Sequence, residues 1–181
     1  KRDHKGAEPS LCTKEDDKLS GEATTPYFLK SDAGPRYAAG GLLVKPLCQK
    51  ADSNGKFSIA RIEGSETIKA QYLAYNTLNF KTSHHCFLVD MGSFRLTVNN
   101  QTSTISAGET IFVPAGQEFT LEVASRYSAL YVFTNGGGLV EFLVGMGKEY
   151  QSQIIAEEFP TDVAEVDGLA EKVGVKIGET L

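Results

Sequence analysis

The side chains best suited to chemistry stand together at His84-His85-Cys86. An imidazole beside a thiol is the raw material of a nucleophile pair, and two imidazoles are the start of a metal site. The run Cys86-Phe87-Leu88-Val89 reads as a strand, however, and neighbouring strand residues point to opposite faces. One metal therefore cannot readily take both His84 and His85, and Cys86 points away from His85. A buried, inert thiol is the better reading for Cys86. Among the carboxylates, Glu109 stands beside Glu118 and Glu122, of which the last two alternate with Phe119 and Leu121 and fall on a solvated face. Paired acid–base carboxylates would have to line a cavity, and these do not. Arg61 and Glu63 follow the Phe57–Ala60 run and suit a salt bridge at a rim better than an internal anion site.

Other sites are excluded by context. Gly136-Gly137-Gly138 has no Gly-Lys-Ser/Thr ending and is not a phosphate loop, and Gly145-Met146-Gly147-Lys148 fails in the same way. Cys12, Cys48 and Cys86 show no zinc-type spacing. They are free thiols, or Cys12 and Cys48 pair if the chain is secreted. Asn100-Gln101-Thr102 is a glycosylation sequon in an expected turn. Secretion and the cytoplasm both stay open.

The elements that must position these residues are mostly strands. The chain has 181 residues and a net charge of -5, enough length for one domain with a real core and no basic footprint for nucleic acid. No apolar run reaches a membrane span. Residues 1–25 are polar and charged and read as a linker or extended arm, with a tether favoured over an arm draped on a partner. Residues 26–150 carry Leu42-Leu43-Val44, Phe57-Ser58-Ile59-Ala60, Cys86-Phe87-Leu88-Val89 and Ile111-Phe112-Val113, short apolar runs separated by Gly, Asn, Asp and Ser. Phe94–Val98 and Phe119–Val123 alternate cleanly, with Asn54-Gly55 and Asn99-Asn100 as turn signals. Leu139, Val140, Phe142, Leu143 and Met146 suit a short helix ended by Gly147. Residues 151–181 read as a helical tail, with Thr161 or Asp162 as cap and Gly174 as stop. The fold class is all-β, a sandwich or jelly-roll barrel with short C-terminal helices.

Gly108-Glu109-Thr110-Ile111-Phe112-Val113-Pro114-Ala115-Gly116 has the glycine, five-residue gap and Pro-x-Gly of the second cupin motif. The chain thus resembles the cupin superfamily, whose fold is a double-stranded β-helix. Pro26-Tyr27-Phe28, Gly34-Pro35-Arg36-Tyr37, His84-His85-Cys86-Phe87, Ser125-Arg126-Tyr127 and Asn135-Gly136-Gly137-Gly138-Leu139-Val140-Glu141 make it similar to the carboxy-terminal half of fungal quercetinase-type bicupins. Those are flavonol (quercetin) dioxygenases in which a first barrel holds copper or a similar metal, while the second commonly lacks the ligands. On that resemblance, the positions of the metal-binding histidines are Leu78, Phe80 and Phe119 here, and His85 fills the glutamate position. Phenyl and isobutyl groups have no lone pair to give a metal, so no cofactor is expected in this chain.

The same register turns His85 into the barrel. Two readings of it stay open. It is a general base or hydrogen-bond donor to a pocketed ligand, or a core histidine satisfied by a backbone carbonyl. Tyr72, Tyr75, Phe80, Phe87, Phe119, Tyr131 and Phe133 are the aromatic candidates for the interior. They hold a flat phenolic ligand or simply fill the barrel, and small barrels are usually filled. The expected role is a metal-free cupin domain that supports a metal-bearing partner barrel, either an upstream half or a homodimer copy. The alternative is a metal-independent isomerase, cyclase or binding protein for a small phenolic molecule, with His85 at work among Tyr72, Leu78, Phe80, Phe87, Phe119 and Tyr131.

Overall fold

The computed structural model describes residues 18–30, 33–69, 71–152, 155 and 163–179. Runs that alternate apolar with polar residues become strands, because each can bury one face and wet the other. In chain order the elements are β1 (Tyr37–Ala39), β2 (Leu42–Cys48), β3 (Phe57–Gly64), the single turn α1 (Tyr72–Tyr75), β4 (Asn76–Phe80), β5 (His85–Met91), β6 (Ser93–Val98), β7 (Gln101–Ser106), β8 (Thr110–Val113), β9 (Glu118–Val123), β10 (Ser128–Asn135), α2 (Gly138–Met146), β11 (Lys148–Glu149), α3 (Val163–Val173) and β12 (Val175–Glu179).

The strands form two antiparallel sheets. One has seven strands in the order β11-β1-β2-β3-β10-β5-β8, and the other five in the order β12-β4-β9-β6-β7. The non-sequential neighbours, β3 beside β10 and β4 beside β9, are the crossovers of a jelly roll. The two inner faces meet over one core. Val44, Ala60, Ile62, Phe87, Val89, Leu130 and Val132 come from the first sheet, and Leu78, Phe80, Phe94, Leu96, Phe119, Leu121 and Val123 from the second.

Turn chemistry fixes the register. Asn99 and Asn100 take φ of 48° and 64° between β6 and β7, whose last and first residues, Val98 and Gln101, pair directly. This is the two-residue hairpin geometry that left-handed asparagine favours. Gly116, the last glycine of the motif, has φ of 81° and turns the chain from β8 into β9. Its N–H donates to the carbonyl of Phe80 at 2.8 Å, which ties the motif turn to the end of β4.

At one end, α2 buries Leu139, Val140, Phe142 and Leu143 in the same core. It ends at Gly147, as its sequence predicts, and α3 ends before Gly174, whose φ is 76°. The two helices touch closely at Gly145, where an added Cβ would stand 2.6 Å from Leu169.

The first strand among the described residues starts at Tyr37, and two expectations change. Residues 18–25, within the segment read as a tether, lie against their own barrel: the Gly21 N–H and Ser20 Oγ donate to Asp52 Oδ1 at 2.6 and 3.2 Å. Farther along, the Tyr27 hydroxyl donates to the Leu47 carbonyl at 2.7 Å, and Leu29 stands beside Lys45. That cover explains why five consecutive residues of β2, Leu42 to Pro46, are buried on both faces. The tail is not wholly helical either: β12 pairs with β4 from Val175↔Phe80 to Glu179↔Asn76 and forms the edge of the five-stranded sheet. The Thr161 and Asp162 caps and the Cys12–Cys48 bridge lie outside the described residues; Cys48 and Cys86 are free thiols.

Candidate functional site

The place to look is where β4, β5 and β9 bring the motif positions together. Alternation along β4 turns Leu78 and Phe80 inward, and Leu78 pairs with Phe119 of β9. Alternation along β5 turns His85 and Phe87 inward. All five side chains are sealed, with His85 only 1% exposed. Around the imidazole the ring centroids of Phe80, Phe119 and Phe87 stand at 4.7, 5.4 and 6.1 Å. Phe80 and Phe119 stack on each other at 6.2 Å, and Phe142 of α2 meets the edge of Phe80 at 6.3 Å. These are contact distances for aromatic rings, so the space beside the imidazole is taken by carbon.

His85 has one identifiable partner. Its Nε2 accepts the backbone N–H of Leu139 at 3.1 Å. Leu139 lies in the first turn of α2, where N–H groups have no partner within the helix. The cap position is Gly137, which offers no side-chain acceptor. The imidazole therefore supplies from another strand the acceptor that a local serine or aspartate would supply elsewhere. Gly138 makes the approach feasible: a Cβ there would lie 2.8 Å from His85 Nε2, and its φ is 49°. The glycine turn is fixed by Thr134 Oγ1 donating to the Gly137 carbonyl at 3.0 Å and Ser58 Oγ donating to the Gly136 carbonyl at 2.8 Å.

Burial lowers the His85 pKa from 6.5 to about 4, with a smaller contribution from His84. A positive charge would have to be carried among phenyl rings and beside the positive end of a helix. At neutral pH the ring is neutral and its Nε2 lone pair is engaged. That is a poor general base, because the lone pair it would use is already committed. The backbone partner is also a donor N–H, not the carbonyl expected for a core histidine.

The donor set does not fit a cupin metal. Leu78, Phe80 and Phe119 present hydrocarbon to the centre, and His85 gives its nitrogen to Leu139. Among the described residues, no group of three or more His, Cys, Asp and Glu converges.

The remaining candidates lie elsewhere. Tyr131, expected in the interior, is on the outer face of β10, because Leu130 and Val132 take the inward positions. It lines a cavity of about 470 Å³ with Leu29, Arg36, Lys45, Arg61 and Tyr127. Phe133 and Tyr75, also proposed as interior, are exposed. Tyr72 is half-buried on α1, 6.3 Å from Phe142, and does not reach the His85 ring group directly. His84 is exposed, accepts the Ala115 N–H on Nδ1 at 3.1 Å and stacks on Phe112. Cys86 faces outward. Arg61 pairs with Glu63 and Asp90 on the outer face, and Glu122 pairs with Arg95.

The sequence reading overlooked Leu139 and Phe142 as parts of this centre. The available signal was an apolar helix that follows three glycines and has no polar cap of its own.

No family model matches the chain, and no curated protein matches it. Solved structures do. KdgF from Halomonas sp. aligns with a TM-score of 0.51 at 10% identity, over 62% of this chain and 94% of that one. An RmlC-like cupin from Shewanella frigidimarina aligns with a TM-score of 0.46 at 17% identity, over 59% of this chain and 86% of that one. The polyketide cyclase RemF from Streptomyces resistomycificus aligns with a TM-score of 0.42 at 19% identity, over 54% and 67% of the two chains. At these identities the likeness concerns the fold alone, and it agrees with the two antiparallel sheets: this chain has the cupin jelly-roll fold.

Proposed function

We propose that the chain is a metal-free cupin barrel whose role is structural: it supports a metal-bearing cupin barrel, as the second half of a quercetinase-type bicupin does. The observation that carries this reading is the filled centre. Leu78, Phe80 and Phe119 pack around an imidazole that holds a helix in place. A site converted from coordination to packing keeps the barrel rigid without needing an ion. The copper-type centre, the dioxygen chemistry and the flavonol all belong to the partner barrel.

The alternative, a metal-independent isomerase or cyclase using His85, needs room for a substrate beside that ring. Rings at 4.7 and 5.4 Å leave none, and this weighs against it.

The test is metal analysis of the purified chain after incubation with copper, iron, nickel and manganese salts and dialysis, together with a flavonol turnover assay in air. The expected result is far less than one ion per chain and no flavonol consumption by this barrel alone. One tightly held ion per chain, or turnover by the isolated barrel that His85→Gln abolishes, would overturn the reading.

A further inference from the structure

Three strands set a polar row on the outside of the barrel, beneath the docked arm. Lys45 of β2 stands opposite Arg61 of β3, and Arg61 stands opposite Tyr131 of β10. Val44, Ala60, Ile62, Leu130 and Val132 take the inward positions of these strands, so the three side chains share the outer face. Lys45 is only 8% exposed. A covered ammonium directly across from a guanidinium is a costly pairing. Like charges opposed on neighbouring strands destabilise a sheet, and a buried cation needs anionic charge close by.

The row lines the cavity of about 470 Å³, with Leu29 and Lys30 of the arm, Arg36 and Tyr127. Small-molecule sites have volumes of roughly 300–1,000 Å³. The arm is held there by the Tyr27 hydroxyl on the Leu47 carbonyl, and Leu29 and Lys45 both close on Gly34. Glu63, the carboxylate in the lining, is engaged: it pairs with Arg61 and accepts the Tyr127 hydroxyl at 2.7 Å. Asp90 reaches Arg61 from β5 at 3.2 Å. Among the described residues, the four cations Lys30, Arg36, Lys45 and Arg61 thus stand against Glu63 and Asp90. Counting Asp32, which falls between Lys30 and Arg36 in sequence, still leaves one positive charge in excess.

We propose that this cavity binds a small organic monocarboxylate with a flat, ring-sized body. The carboxylate sits at the Lys45–Arg61 pair, where a guanidinium with five donors has some to spare beyond Glu63 and Asp90. The body lies against Leu29 and the phenol rings of Tyr127 and Tyr131, which offer apolar faces and hydroxyl tips. An excess of one charge suits a monoanion better than a phosphate dianion. The site is on the outside of the barrel, apart from the filled centre at His85. This inference goes beyond the structural role above and stands or falls independently of it.

The experiment is titration of the isotope-labelled full chain with sodium benzoate at constant ionic strength, followed by amide NMR shifts. Saturable shifts on β2, β3 and β10 are expected, with a Kd below about 1 mM. Benzamide has the ring without the charge and acetate the charge without the ring; each is expected to bind at least about tenfold more weakly. Lys45→Met removes the ammonium, retains an unbranched side chain, and is expected to weaken benzoate about tenfold or more. Arg95→Gln, at a cation of the other sheet, is expected to leave it unchanged. Folding of both variants is checked by circular dichroism, and if Lys45→Met does not fold, the comparison of probes on the wild type decides. No saturation by about 10 mM benzoate would overturn the proposal. So would benzamide, acetate or inorganic phosphate bound as tightly as benzoate, shifts centred away from these three strands, or a folded Lys45→Met that binds benzoate like the wild type.

Discussion

The imidazole of His85 accepts the first-turn N–H of Leu139 across 3.1 Å, 54 positions away in sequence. This bond joins β5 to α2 and fastens the helix over the end of the barrel. It converts an inward polar group, which usually signals chemistry, into a helix cap.

Removing the ring should therefore cost stability. His85→Ala leaves the Leu139 N–H without its acceptor and opens a void among Phe80, Phe87 and Phe119. A loss of about 2–4 kcal/mol is expected, read from urea unfolding. His85→Gln keeps an acceptor within reach of Leu139 and should recover part of the loss. Equal losses in the two variants would show that the bond is unimportant beside the packing.

Acid should find the same residue. The unfolded imidazole takes a proton near pH 6.5, while the folded one does so only near pH 4. Between those values the unfolded chain binds more protons, so stability rises with pH. The stabilisation is complete above pH 6.5 and is lost as pH falls towards 4, by an amount on the order of 3 kcal/mol. His85→Gln should flatten the pH dependence of the unfolding midpoint across this window. An unchanged slope in the variant would assign acid sensitivity to other groups.

Two glycines with positive φ should respond differently to alanine. Gly116, with φ of 81°, faces open space, so Gly116→Ala carries only backbone strain, about 1 kcal/mol. Gly138→Ala adds a methyl group 2.8 Å from His85 Nε2 and close to Thr134 and Ser83, and should cost about twice as much or more. Thermal unfolding of the two variants side by side reads the difference. Equal shifts would mean that α2 yields to the intruding methyl without penalty.

The docked arm has a single carboxylate at its root. Asp52 accepts from the N–H groups of Gly21 and Gln49 and from Ser20 Oγ. Asp52→Ala should speed limited proteolysis within residues 18–30 and lower stability by about 1–2 kcal/mol. Cleavage no faster than in the wild type would place the grip at Tyr27 and Leu29 instead.

Much of the fold was legible because alternation is local. Phe94–Val98 and Phe119–Val123 read as half-buried strands and are so, and Gly147 and Gly174 end the helices they were expected to end. Tyr131 and Phe133 were misplaced because β10 is apolar on both faces. Leu130-Tyr131-Val132-Phe133 has no polar residue to say which side is wet. The same ambiguity concealed the outer cavity that Tyr131 lines. The strand β12 was missed because Val175-Lys176-Ile177 is short and its partner β4 is distant in sequence. The His85–Leu139 bond lay out of reach for a related reason: a histidine shows that a polar atom needs a partner, but only the folded chain shows which one.

The seam between β4 and β12 has a temporal side. Leu78 and Ile177 are roughly a hundred positions apart, and contacts of such separation form late because the intervening loop must close first. Until Val175–Glu179 has emerged from the ribosome, the strand bearing Leu78 and Phe80 has a bare flank, while most of its neighbours are already synthesised. A nascent chain halted in α3 would carry an almost finished barrel with a sticky side, and that interval is when a chaperone has the most to protect.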